Sequence, residues 1–226
     1  LITASAGNHA QGVAFAAKKF GCRATIVMPT VTPLIKVNRT KSYGADVVLY
    51  GDVYDDAYNY ACELAEKNGY TFVHPFNDLD VAAGQGTITM EIVQELPTVD
   101  YIVVPVGGGG SSYTLAKMLN PKIKVIGVEP AEAASMTAAL QAGEVVELES
   151  ANTIADGTAV KAVGDKIFPY VQENVDRMLL VEDDELPKGG LHIKRGKYGR
   201  DYHVLDRPAW ADPERQDFLR ICASSG

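Results

Sequence analysis

The sequence predicts an α/β protein built on open, mainly parallel sheets, and two observations carry that expectation. Short β-branched runs alternate along the chain with stretches of helical period, and the strand-like runs at 100–106 and 124–129 are apolar without alternation. A strand covered by helices on both faces needs no polar side, so an unbroken apolar run fits a parallel sheet. Strand and helix in strict order then read as successive βαβ units.

The elements follow in order. The chain opens in strand-like sequence, Leu1-Ile2-Thr3-Ala4. Over 8–20, Ala10, Val13, Ala14, Ala17 and Phe20 recur at helical spacing, and Gly21 supplies a stop. Residues 23–28 read as a strand ended by Pro29, and Lys36 and Lys41 fall on the next helical stretch. A strand at 46–50 lies between Gly44 and Gly51. Over 54–68, Ala57, Tyr58, Ala61, Leu64 and Ala65 form a second apolar stripe, closed by Gly69. A helix around 113–119 separates the two apolar strands. Residues 187–226 show no sustained period and are rich in Gly, Pro and Arg. Their charge also changes: 8 basic and 5 acidic residues, against 13 and 24 in 1–186. This stretch is expected to be a poorly packed tail without a partner in the sheet.

Bulk composition narrows the function classes. The 226 residues are 46% hydrophobic and 22% charged, enough for a real core in one large domain or two small ones. A net charge of −8 works against nucleic acid or an anionic membrane as the main partner. No apolar run is long enough to span a bilayer, and the first residues lack a secretory leader's basic head. Cys22, Cys62 and Cys222 are scattered, which fits a reducing, cytoplasmic setting better than disulfides or a zinc site. The start at Leu1 and the change in charge lead us to expect an incomplete chain.

Two turns could carry chemistry. Val106-Gly107-Gly108-Gly109-Gly110-Ser111-Ser112 follows a buried strand and precedes a helix. Glycines lack a β-carbon, so successive amides can converge on an anion, and the helix adds its positive end. On sequence alone the run offers no packing benefit, which favours a phosphate over a bare turn. A nucleotide P-loop fails, because Gly110 is followed by serine and not lysine. A dinucleotide site stays open: Ser112 stands where the third glycine belongs, but Glu129, 20 residues after Gly109, could meet a ribose.

The second turn is Thr3-Ala4-Ser5-Ala6-Gly7-Asn8-His9-Ala10-Gln11-Gly12. Small residues expose amides, and Ser5 and Asn8 add side-chain donors, which suits a carboxylate. The alternative is an ordinary helix capped by Ser5 or Asn8. Asp55-Asp56 and Glu182-Asp183-Asp184-Glu185 read as solvated acidic faces, and Lys18, Lys19, Lys36 and Lys41 as solvated helix faces. His192 and His203 lie in the tail and receive no role.

Ser5-Ala6-Gly7-Asn8-His9 and the tetraglycine are joined in order by Ile26-Val27-Met28-Pro29, His74-Pro75-Phe76, Gly84-Gln85-Gly86-Thr87-Ile88, Gly127-Val128-Glu129-Pro130 and Thr153-Ile154-Ala155-Asp156-Gly157. This set resembles the threonine (serine) dehydratase branch of the second structural class of pyridoxal-phosphate (PLP) enzymes, over residues 1 to about 186. The resemblance implies two open parallel-sheet lobes of the tryptophan synthase β-like fold, incomplete at both ends. Residues 1–76 would be the small, substrate-loop lobe and 77–186 part of the large, cofactor-binding lobe.

The roles it implies are specific. Asn8 would bond the 3′-oxygen of the pyridoxal ring. Ser5, Ala6, Gly7, Asn8 and His9 would line the loop gripping the substrate carboxylate. Gly107, Gly108, Gly109 and Gly110 would bind the cofactor phosphate, and Gly157 would lie against the ring. Glu129 would sit near the cofactor or, in some members, bind a cation. Ser135 stands where those members carry aspartate, so no strong metal site is expected. Racemases of the family place serine at the Ala6 position. A methyl group cannot exchange protons, so a dehydratase is expected, with serine racemase, β-replacement enzyme and non-catalytic PLP- or nucleotide-binding module as alternatives.

The implied reaction is deaminating β-elimination from threonine or serine in amino-acid metabolism, isoleucine biosynthesis included, by a cytoplasmic homo-oligomer. The family's Schiff-base lysine lies in a Ser-Phe-Lys-x-Arg-Gly-Ala motif upstream of the Ser-Ala-Gly-Asn loop, and none of the lysines here sits in such a motif. The Ser-Gly-Gly-Asn segment expected beyond Val181 is also missing. No catalytic residue is therefore assigned, and the chain alone is expected to be inactive.

Overall fold

The protein, described from a computed structural model, is defined over residues 1–109 and 114–185 and along the backbone of two later strands. The chain divides into two units, Leu1–Pro75 and a second that begins at Phe76.

In the first unit, β1 (Ile2–Ala4), β2 (Thr25–Met28) and β3 (Asp46–Leu49) pair in parallel in that order, with Thr3 opposite Ile26 and Val27 opposite Val48. The chain returns beside β1 near Phe72: the Ile2 amide donates to Thr71 O and the Val73 amide to Ile2 O, both at 2.9 Å. β1 and β2 are thus interior strands. Their side chains alternate between faces. Ile26 and Met28 meet Ala10, Val13, Ala14 and Ala17 of α1 (Asn8–Phe20) and Val37 of α2 (Leu34–Ser42). Ile2, Ala4 and Val27 meet Ala57 and Ala61 of α3 (Tyr54–Asn68) on the other face. Alanines let each helix lie close to the sheet, and full burial of Ile2, Ile26 or Met28 contributes about 2 kcal/mol each. α1 and α3 end at left-handed Gly21 and Gly69, the two stops expected from sequence. The expected stripe on α1 overreaches at one residue: Phe20 is 79% exposed. The Asp55-Asp56 pair is not merely solvated, because Asp56 Oδ2 accepts from the Asp52 amide at 3.1 Å, beside the start of α3.

In the second unit, β4 (Tyr101–Pro105), β5 (Lys124–Pro130) and β6 (Arg177–Val181) are parallel, in that order. α4 (Leu79–Glu95) precedes β4, and α5 (Thr114–Leu119) links β4 to β5. α6 (Ser135–Ala142) and α7 (Phe168–Asn174) lie between β5 and β6, with 3-10 turns at Ala131–Ala133 and Asp156–Thr158. Ile92, Ile102, Val104, Val106, Val125, Met136, Ile167 and Val171 form the core. Asp176 joins the starts of two strands: its carboxylate accepts from the Val125 amide at 2.9 Å and pairs with Lys124 and Lys117.

Asp78 caps α4, its Oδ1 accepting from the Asp80 and Val81 amides at 2.8 and 3.1 Å. Asp78→Ala is expected to lower the unfolding free energy by about 1 kcal/mol in a urea titration.

The tail holds two short strands that pair only with each other among the described residues. β7 (Leu191–Arg195) and β8 (Asp201–Leu205) pair antiparallel, with Ile193 opposite His203. Both segments are five-residue runs whose sequence alternates apolar with polar residues through most of their length, a period too brief to stand out among the surrounding Gly and Arg. No helix among the described residues is long and apolar enough to cross a membrane.

Candidate active site

The first turn begins where β1 ends. The Ser5 amide still donates to Val27 O at 3.1 Å, so the sheet holds the chain up to Ser5. Residues 6 and 7 then redirect it into α1. The Gly7 amide donates to Ser5 Oγ at 3.2 Å, and Gly7 itself occupies the N-cap position with no side chain capping the helix. The alternative of a helix capped by Ser5 or Asn8 therefore does not describe this turn. Asn8, the first helical residue, is exposed. His9 is half-buried, its Nε2 3.1 Å from both Thr3 Oγ1 and Val73 O. The Thr3 hydroxyl already donates to Val73 O at 2.7 Å, so a carbonyl facing Nε2 requires that nitrogen to carry the proton. His9 thus ties the turn to the sheet. Ser5, Ala6, Gly7, Asn8 and His9 are gathered at the carboxyl end of β1, the end at which open parallel sheets bind ligands.

The second turn stands at the carboxyl end of β4. The Val106 amide donates to Val128 O at 2.8 Å, after which Gly107, Gly108 and Gly109 leave the sheet. The Gly164 amide donates to Gly108 O at 3.0 Å and anchors the loop. A β-carbon on Gly107 would lie 3.2 Å from Thr158 Cα, and one on Gly108 would collide with the Phe76 ring. Gly109 has φ +93°, and its β-carbon would lie 2.8 Å from Met136 Cε. This corrects the reading that the glycine run has no packing role: Gly107 and Gly108 pack tightly within the unit, and Gly109 adopts a left-handed backbone that favours glycine. Gly157 lies in the Asp156–Thr158 turn, with its carbonyl beside Gly107. The structure therefore brings Gly107 and Gly157 together, while Gly110, Ser111 and Ser112 lie outside the described residues. The glycine loop and the exposed Gly157 turn thus lie side by side at the carboxyl end of β4.

Glu129 is engaged within the second unit, which bears on the ribose reading. Its side chain is fully buried at the end of β5 and accepts from the Met136 amide (Oε1, 2.7 Å), the Thr137 amide (Oε2, 2.9 Å) and the Thr137 hydroxyl (Oε2, 2.7 Å). Burial raises its carboxyl above the ordinary carboxylate range, and the bonds from Thr137 and Met136 partly offset this. With both oxygens committed to the start of α6, Glu129 is not placed to meet a ribose, and the dinucleotide reading falls. Ser135 Oγ is buried without a hydrogen-bond partner, and no group of three metal-binding side chains exists among the described residues.

Comparison with known proteins decides the family. A family described as pyridoxal-phosphate dependent enzyme matches residues 1–193. The chain belongs to this PLP-dependent enzyme family. It is 51% identical over 189 residues to an L-threonine ammonia-lyase of Thermotoga maritima, covering 82% of this chain and 47% of that relative. Among solved structures, the processed form of threonine deaminase isoform 2 from Solanum lycopersicum matches with TM-score 0.78 and 48% identity, over 82% of this chain and 55% of that one. Maize serine racemase matches with TM-score 0.78 and 34% identity, over 84% and 58%. The chain spans about half the length of the proteins it matches. Its fold is the tryptophan synthase β-like PLP fold, represented in part.

Within this PLP-enzyme fold the sequence reading missed several contributors. Phe76 supplies the ring under Gly108. Asn77 donates through Nδ2 to Asp165 at 2.7 Å and accepts from the Lys166 amide at 3.0 Å, bracing the segment whose Gly164 holds Gly108. That contact is the first cause holding the Asp165 carboxyl below its ordinary range. Asp183, expected on a solvated face, accepts from Thr153 and Ile154. Phe76, Thr153 and Ile154 stand in runs that carry the family resemblance, but nothing local marks which partners they meet, because those are distant in sequence.

Proposed function

We propose that the chain carries the carboxylate-gripping and phosphate-gripping portions of a PLP-dependent threonine (serine) dehydratase. The reaction eliminates the β-hydroxyl of threonine or serine as water, and a water then hydrolyses the released enamine, so the net products are 2-oxobutyrate or pyruvate and one ammonia. One observation carries the reading: two turns opened by small residues stand at the carboxyl ends of parallel strands, in a chain 51% identical to a protein named L-threonine ammonia-lyase.

The residues then take these roles. Ser5 Oγ accepts from Gly7 and keeps its own proton to donate to the substrate carboxylate, joined by the opening amides of α1 and its positive end. His9 fixes that turn through Thr3 and Val73. Asn8 reaches the 3′-oxygen of the ring. Gly107, Gly108, Gly109 and Gly110 hold the phosphate through amides, and Gly157 leaves the ring face clear. Pyridoxal phosphate, when bound, supplies the electron sink that acidifies the substrate Cα–H. Lys18 and Lys19 on α1 and Lys36 and Lys41 on α2 are helix-face residues outside both turns, and no lysine of the chain sits in the family's Schiff-base motif, so no base is assigned to this chain. Ala6 favours elimination over racemisation, although likeness to maize serine racemase keeps that as the second reading.

The test is the full-length protein loaded with PLP and given L-threonine or L-serine. Production of 2-oxobutyrate or pyruvate with equimolar ammonia is expected. Dominant D-serine would favour the racemase, and a cofactor-loaded protein that makes no product from either amino acid would overturn the reading.

A further inference from the structure

We propose that Asp183 is a positioning residue for the cofactor site, holding the Gly157 turn against the glycine loop. The inference rests on the dehydratase reading and deepens it. Asp183 stands in the turn just after β6, the strand whose Val181 pairs with Pro130 at the end of β5. Its half-buried carboxylate grips the distant segment at two points. Thr153 Oγ1 donates to Oδ1 at 2.5 Å, and the Ile154 amide donates to Oδ2 at 2.8 Å. Such two-point bonds to a carboxylate are short and directional.

From that grip a series of hydrogen bonds runs to Thr158, which packs against the loop. Thr153 Oγ1 accepts from the Ala155 amide at 3.1 Å. Ala155 O accepts from both the amide and the hydroxyl of Thr158, at 2.9 and 3.0 Å, which closes the turn containing Gly157. Thr158 Cα then rests where a β-carbon on Gly107 would press, at 3.2 Å. Residues 150–155 belong to no helix or strand, and Ile154 is 64% exposed, so packing does little to fix them. The carboxylate of Asp183 sets where the turn lies, and Gly157 with it.

The experiment compares Asp183→Asn, Asp183→Ala and Thr153→Val in the full-length protein. Readouts are the dissociation constant of PLP from the apoprotein, the circular dichroism of the bound cofactor and apoprotein melting. An asparagine can accept only one of the two bonds, so its effect should be intermediate. Asp183→Ala should weaken PLP by about tenfold, the equivalent of one charge-assisted hydrogen bond, and alter the cofactor's dichroism. Thr153→Val should change the dichroism in the same sense, and the double variant should be no worse than Asp183→Ala alone. Unchanged PLP affinity and dichroism in Asp183→Asn and Thr153→Val would overturn the proposal, as would a loss of melting temperature with no cofactor effect. If Asp183→Ala does not fold, those two variants decide. A wild-type protein that fails to bind PLP would instead remove the dehydratase reading itself.

Discussion

Gly108→Ala is expected to weaken folding by about 2 kcal/mol and PLP binding by about tenfold, through two separable causes. The first is overpacking. The new methyl group collides with the Phe76 ring, and the Gly108 carbonyl is already fixed by the Gly164 amide, so the loop cannot simply step aside. The second is the approach of the loop to the phosphate, which any outward shift of the backbone would lengthen. Phe76→Ala separates them. In the Gly108→Ala, Phe76→Ala double variant the ring is absent, and urea titration should find it about as stable as Phe76→Ala alone. Its PLP affinity should stay low. Recovery of affinity together with stability would mean that Gly108 serves packing only, and that the phosphate is held elsewhere.

That double role explains why the glycine loop was legible in the sequence for an incomplete reason. Four glycines after an apolar strand announce a turn with open amides, but Phe76 is distant along the chain and nothing local marks its ring as the neighbour. Helices were legible where period and stop coincided: Ala10, Val13, Ala14 and Ala17 before Gly21, and Ala57 and Ala61 before Gly69. α4 was not. Gly84, Gly86 and the run Thr87-Ile88-Thr89 all disfavour a helix intrinsically, and burial of Gly86, Thr89 and Ile92 overrides them. β6 was missed because Arg177-Met178-Leu179-Leu180 lacks β-branched residues and the strand lies at the sheet edge, half covered. Acidic residues were the least legible class. Asp56, Asp183 and Glu129 look alike in sequence, yet the first is exposed, the second half-buried and the third fully buried; the difference depends on which donors tertiary structure brings near.

Glu129→Ala is expected to cost about 3 kcal/mol, the larger of the two stability losses. Removing the carboxylate strips the acceptor from the buried Met136 amide and from the part-buried Thr137 amide and hydroxyl together; a buried donor left unpaired costs about 1–3 kcal/mol, and water can partly satisfy the Thr137 donors. Glu129→Gln, which keeps the shape but turns one acceptor into a donor, should lose about 1–2 kcal/mol. The two variants also fix the sign of a pH effect. Burial raises the folded-state pKa of Glu129 above its ordinary value of 4.5, so the folded chain holds this proton to higher pH than the unfolded chain does. The stabilisation linked to that proton is fully present below 4.5 and is lost as pH rises through the raised value. Glutamine does not titrate. The stability of the wild-type protein minus that of Glu129→Gln should therefore shrink as pH climbs through the window above 4.5, and then level off. A difference that grew with pH would mean that the three donors outweigh burial and hold the carboxyl below its ordinary value.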